Sequence, residues 1–282
     1  MKRLLIILLL PALLTFGLSK YVPMPLMQMK KANAAFSSFR VMIGAAGVAT
    51  ENGADVTSYA FDGTGDYLSL ADHANWDVFG SSADNWTISM WVKFSGTPSG
   101  SQVFIAQEEG NNDRWTLYNR SGGTDITLLV RTGAANVIVA NGSGSGITDT
   151  NWHWVVLAKV ASEYGIYLDG TQQEYTNDSS TDTYVASLVI GGGSVEVDFP
   201  GNIDDIIIAS SNIYSAAPNT PPTNTITNPA VPYTGAAVLK IHCGETILTG
   251  STGSGATFKD STGVHTVTEN GNAVRDTTTY KY

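Results

Sequence analysis

Apolar and polar side chains alternate one for one along WTISMWVKF, residues 86–94. Trp86, Ile88, Met90, Val92 and Phe94 fall on one side, and Thr87, Ser89, Trp91 and Lys93 on the other. A period of two is that of a β-strand with one face in a core and the other toward solvent or a second layer. Similar runs follow at short intervals: SQVFIAQ, RWTLYNR, DITLLVR, NVIVA, WHWVVLAKV, YGIYLDG, SLVIGG and IDDIIIA. Turn-rich clusters such as SGTPSGS, EEGNND, NGSGSG and TNDSSTD separate several of them. Beyond residue 40 no window repeats its apolar residues at helical spacing. The pattern predicts an all-β chain whose many short strands form a two-sheet sandwich.

The two ends depart from this pattern. MKRLLIILLLPALLTFGLSKYV opens with two bases and an apolar run of about 15 residues, shorter than the roughly 20 that a membrane span needs. Residues 1–19 are therefore read as a signal peptide or an N-terminal anchor, followed by a lead segment over 20–54. Five of the ten prolines lie in AAPNTPPTNTITNPAVPYTG, and this marks 217–235 as a linker. Residues 236–282 form a β-rich extension too short to be a robust domain alone. Its strands are expected to pair with the preceding domain or with another chain, the latter giving a homo-oligomer.

Charge narrows the functions. Residues 51–282 hold nine bases against 25 acids, a net of −16, which repels phosphate backbones and argues against nucleic-acid binding. The single cysteine, Cys243, excludes an intrachain disulfide framework. His73, His153, His242 and His265 are scattered without zinc-type spacing, and neither a Gly-x-Ser-x-Gly elbow nor a phosphate-binding loop is present.

Three blocks, YAFDGTGDYLSLADHANWDVFGSSADNWTISMWVKF (59–94), NWHWVVLAKVASEYGIYLDGTQQ (151–173) and LVIGGGSVEVDFPGNIDDIIIAS (188–210), together resemble laminin-G-like domains of the concanavalin A-like class. The resemblance covers 55–216 and implies an antiparallel jelly roll. The extension is similar to the opening strands of another such repeat, left incomplete, of a kind found in bacteriophage virion proteins and secreted bacterial surface proteins. The resemblance over 55–216 implies a non-catalytic recognition or structural module, and that of the extension bears on its context, a virion or an extracellular surface. Its partners would be a glycan or cell-surface ligand, or other virion or surface proteins. Alternatives are a divergent glycan-active hydrolase or lyase and a purely architectural virion protein.

Glucanases of this class carry two glutamates and an aspartate alternating on one strand. In VEVDFPG, Glu196 and Asp198 have that interval, but Pro200 and Gly201 stand where the second glutamate belongs, so no catalytic residue is assigned. The resemblance further implies one structural Ca2+ where the first and last strands meet, drawn from Asp62 and Asp66 in FDGTGDY and from Asp204 and Asp205 at the entrance of the IDDIIIA strand. Consecutive strand residues point to opposite faces, so Asp204 and Asp205 share an ion only across a bulge. The alternative is that these aspartates accept hydrogen bonds from turn amides. For ligand contact the candidates are Trp91, on the polar side of its strand, with Arg114, Tyr118 and Arg131; the alternative for Trp91 is packing between layers.

Overall fold

The computed structural model describes residues 58–140, 146–229, 233, 235–242, 260–276, 278, 279 and 281. The readings of 1–19 and 20–54, and Cys243, lie outside them. The strands are β1 (Ser58–Asp62), β2 (Tyr67–Leu70), β3 (Trp86–Phe94), β4 (Gln102–Glu108), β5 (Arg114–Asn119), β6 (Ile126–Thr132) and β7 (Ala135–Ala140). They continue with β8 (His153–Val160), β9 (Glu163–Leu168), β10 (Thr171–Asn177), β11 (Leu188–Ile190), β12 (Pro200–Ala209), β13 (Leu239–Ile241), β14 (Thr268–Asn270) and β15 (Val274–Asp276). No helix among the described residues is long and apolar enough to cross a membrane.

These strands form two antiparallel sheets, the expected jelly-roll sandwich. One runs β10-β9-β8-β3-β12-β1-β15, with β13 also on β12; the other runs β14-β2-β11-β4-β5-β6-β7. The alternation in β3 explains the layering: Ile88, Met90, Val92 and Phe94 are buried in the core between the sheets. There Phe94 meets Phe199 at 4.7 Å between ring centroids, and Phe104 meets Phe199 at 5.8 Å. Edge-to-face and tilted aromatic contacts of this kind add to the area they bury. Between β9 and β10 the two-residue turn Asp169–Gly170 has both φ values positive, 51° and 86°, as a tight hairpin requires.

The polar side of β3 is buried as well. Trp91, Trp154, Val156, Ala158, Tyr167, Ala216 and Ile226 form a second apolar cluster on the outer face of the first sheet. Residues 211–229 lie over it as a strap. Thr87 Oγ1 donates to Ser211 O (2.8 Å), Tyr167 OH to Asn224 Oδ1 (2.7 Å), and Ile226 N to Gly170 O (2.8 Å). Over its described part the proline-rich stretch read as a linker is therefore a fixed cover; proline and asparagine suit it because the strap bonds through side chains more than through a ladder.

The extension does not begin a separate unit: residues 51–282 form one compact body. Along β12, β1 pairs with Pro200–Ile203 and β13 pairs with Ile206–Ile208, so the extension fills the place β1 leaves. Strands β14 and β15 border β2 and β1. Leu239, Ile241, Val267 and Ala273 join the main core.

Candidate functional site

The aspartate pair sits in the middle of β12, not at its entrance. Pairing with β3 runs from Gly201↔Phe94 to Asp204↔Trp91 and resumes at Ile207↔Ser89. Two residues, Asp205 and Ile206, thus face the single Met90. Asp205 has φ 48°, a left-handed conformation that aspartate tolerates better than most residues. The bulge overrides the strand rule and brings both carboxylates to one place. His242, directly after β13, joins them: its Nδ1 lies 2.5 Å from Asp205 Oδ1 and 4.0 Å from Asp204 Oδ1. Asp205 N donates to Asp204 Oδ1 at 2.8 Å. All three residues are buried, and one ligating atom from each lies within 4.8 Å of the others.

Asp62 and Asp66 are not part of this group. Asp62 pairs with Pro200 across the ladder, four residues from Asp204, or about 13 Å along a strand. Asp66 Oδ2 accepts from Asp62 N (2.8 Å) and its Oδ1 from Asn272 N (2.6 Å); Asp62 Oδ1 accepts from Thr64 N (2.7 Å). Both serve turn amides, and Asp66 also clamps the β14–β15 turn.

The outer face of the second sheet carries the other candidates. Arg114 and Tyr118 lie on the same side of β5, and Arg114 pairs with Arg131 of β6. Both guanidinium groups donate to Asn111, Arg131 Nη1 to its carbonyl at 2.8 Å. Trp91 is on the other sheet, stacked on Trp154 with centroids 6.3 Å apart, beneath the strap and with Lys281 Nζ 3.5 Å from its ring centroid. The structure joins three of the four proposed contacts and separates the tryptophan.

Sequence reasoning missed Glu108, which the fold places beside Glu196. Arg114 Nη2 donates to Glu196 Oε1 (2.7 Å), with its Nε 4.0 Å from Glu108 Oε1. Glu108 Oε2 accepts from Ser194 N and from Ser194 Oγ (2.7 Å). Burial raises the Glu196 carboxyl above the ordinary range; Arg114 opposes this and Glu108 adds to it. Next to the pair opens a cleft of about 390 Å³ lined by Gly65, Tyr67, Glu108, Val189, Gly193, Ser194 and Asp198. Asp198 holds its rim, accepting from Gly65 N (2.7 Å) and Gly193 N (3.4 Å). The signal available in the sequence was the alternation over the last four residues of β4, where Ile105 and Gln107 face the core side that holds Trp115, and Ala106 and Glu108 the other.

His153 lies on β8 between Asp169 (2.8 Å) and Asp149 (3.0 Å). The Asp169 hydrogen bond is the main cause of its raised pKa, which burial opposes and Asp149 reinforces. A raised imidazole value means stability present in full below the ordinary 6.5 and lost as pH rises through the folded value. The His153→Gln variant is expected to lose about 1 kcal/mol at pH 5.5 and little at pH 8.5, since both aspartates are partly exposed and screened. Urea unfolding at the two pH values checks this; an equal loss at both refutes it.

The family model Laminin_G_3, described as the concanavalin A-like lectin/glucanases superfamily, matches residues 62–216. No curated protein matches the sequence. Among solved structures, the chain is similar to domain 4 of AbnA, a GH43 extracellular arabinanase from Geobacillus stearothermophilus, in complex with arabinotriose, at 15% identity and a TM-score of 0.41 over 61% of this chain and 72% of that one. Domains LG4-5 of the mouse laminin α1 chain align at 16% identity and 0.42, over 54% and 40%. The native heptameric SAP-like pentraxin from Limulus polyphemus aligns at 15% and 0.40, over 56% and 79%.

Proposed function

We propose, since the chain belongs to the Laminin_G_3 family of the concanavalin A-like lectin/glucanases superfamily, that it is a non-catalytic glycan-recognition module displayed on a virion or a secreted bacterial surface assembly. The observation that carries this reading is the cleft on the second sheet. Its volume of about 390 Å³ suits a small ligand. Tyr67 lines it with an aromatic side chain, and Glu108, Asp198 and Ser194 with oxygens, the mixture that sugar hydroxyls and their apolar faces require. At Gly193 a β-carbon would press on Val103 Cγ2 (3.2 Å) and Glu108 Oε1 (3.3 Å), so glycine leaves both side chains their room beside the cleft.

The carboxylates support binding over hydrolysis. Glu196 is held by Arg114 and Glu108 by Ser194, whereas glycoside hydrolysis needs one carboxylic acid free to give a proton and a second carboxylate free to attack or to activate water. The hydrolase alternative draws on one fact, that Glu108 lies beside Glu196. A glycan array followed by calorimetry tests the reading. Tyr67→Ala is expected to weaken binding at least tenfold, and Glu196→Gln to leave polysaccharide turnover at background. A silent array would favour a purely architectural role, and turnover abolished by Glu196→Gln would establish the hydrolase.

A further inference from the structure

We propose that Asp204, Asp205 and His242 bind one divalent transition cation of the zinc class, which fastens the extension to the second half of β12. The site is independent of the glycan cleft and takes a different ion from the Ca2+ that the family resemblance implies. Three points of chemistry carry it. The first is distance. With every pair of ligating atoms within 4.8 Å, some point lies no more than about 2.8 Å from all three, so shifts of about 0.7 Å reach bonding distance for zinc. The second is donor type. A histidine nitrogen with two carboxylates suits a borderline cation, whereas calcium seeks six to eight oxygens, and the burial of all three residues leaves little room for the waters that would make up that number.

The third is an orphaned atom. Among the described residues Asp205 Oδ2 has no hydrogen-bond partner, although the residue is 4% exposed. A carboxylate oxygen held away from water without a partner is costly, and a cation bound between the two aspartates removes that cost. Two groups of the extension face this pair, the His242 imidazole and the Lys281 ammonium, the latter 3.5 Å from the ring centroid of Trp91, which is the ladder partner of Asp204. Lys281 is thus a competitor for the metal and not a ligand to it. The bulge belongs to the same arrangement, because a regular strand would send Asp204 and Asp205 to opposite faces.

The test uses the full chain, dialysed against chelator and titrated with Zn2+, Co2+ and Ca2+ separately. Zinc is expected to bind one to one by calorimetry and to raise the melting temperature by roughly 5 °C at a hundredfold excess over Kd. Cobalt should develop visible d–d absorption, and millimolar calcium should leave the melting temperature unchanged. His242→Gln is expected to lose zinc binding while keeping its circular dichroism spectrum. Lys281→Ala, outside the ligand set, should tighten zinc about tenfold by removing the competing ammonium. The proposal is overturned by zinc binding that survives in His242→Gln, by calcium stabilising as strongly as zinc, by no stoichiometric metal, or by Lys281→Ala leaving the affinity unchanged.

Discussion

A chain cut after Gly235 should fail to unfold cooperatively in urea, because it lacks part of its own core. Leu239 and Ile241 are fully buried and Val267 and Ala273 nearly so, all within the cluster between the sheets. Burying one such large side chain contributes about 1.5–3 kcal/mol, and removal also exposes their partners Ile206 and Ile208 on β12. The ladders of β13, β14 and β15 and the clamp from Asp66 to Asn272 go with them. The summed loss is about 10 kcal/mol, within the range of total stability for a domain. Ile241→Ala is the graded version and should cost about 3 kcal/mol. A truncated chain that melts at the full-length temperature would refute the whole account of the extension.

Gly201→Ala is expected to be the most damaging single methyl group in the sandwich, at about 4 kcal/mol. Gly201 lies between Phe61 of β1 and Phe94 of β3, at φ 150°. A β-carbon there would fall 2.1 Å from Lys93 O and 2.9 Å from Phe94 Cα. Both are backbone atoms of a central strand and cannot rotate aside. Gly65→Ala separates the two causes, since Gly65 also has positive φ (74°) but nothing within 4 Å of the added carbon. It should cost about 1 kcal/mol, from backbone conformation alone. Similar losses in the two variants by urea unfolding would show that conformation, not close approach, governs position 201.

Much of this architecture is written in local pattern. Strands such as β3 and β8 announce themselves because one face must be apolar whatever covers the other. Strand β10 does not, since TQQEYTN has no apolar stripe; its buried Gln172 accepts from Asn219 N and Asn224 N of the strap, so a polar residue is satisfied where a hydrophobic one was expected. The strap itself reads as a linker because proline and asparagine signal an irregular path, not whether that path is anchored.

The site was half legible for a related reason. Asp204 and Asp205 stand out in an apolar strand, but their convergence depends on a bulge that no periodicity marks. His242 carries no spacing signal toward them, because the ladder pair Ile241↔Ile206, across 35 residues, is what delivers it. Glu108 and Glu196 were likewise joined by tertiary structure, 88 positions apart. Trp91 was ambiguous from the start, and the cover provided by the strap decided it.

The clamp between Asp66 and Asn272 also bears on how the protein is made. Ser58 Oγ donates to Thr279 O across 221 positions, and β1 pairs with β15 over nearly the same span. While a ribosome is still translating residue 239, the second half of β12 has β3 on one side and no strand on the other, and the core lacks Leu239, Ile241, Val267 and Ala273. Completion of the sandwich therefore waits for β13, β14 and β15 to emerge, and the open side of β12 is exposed until they do.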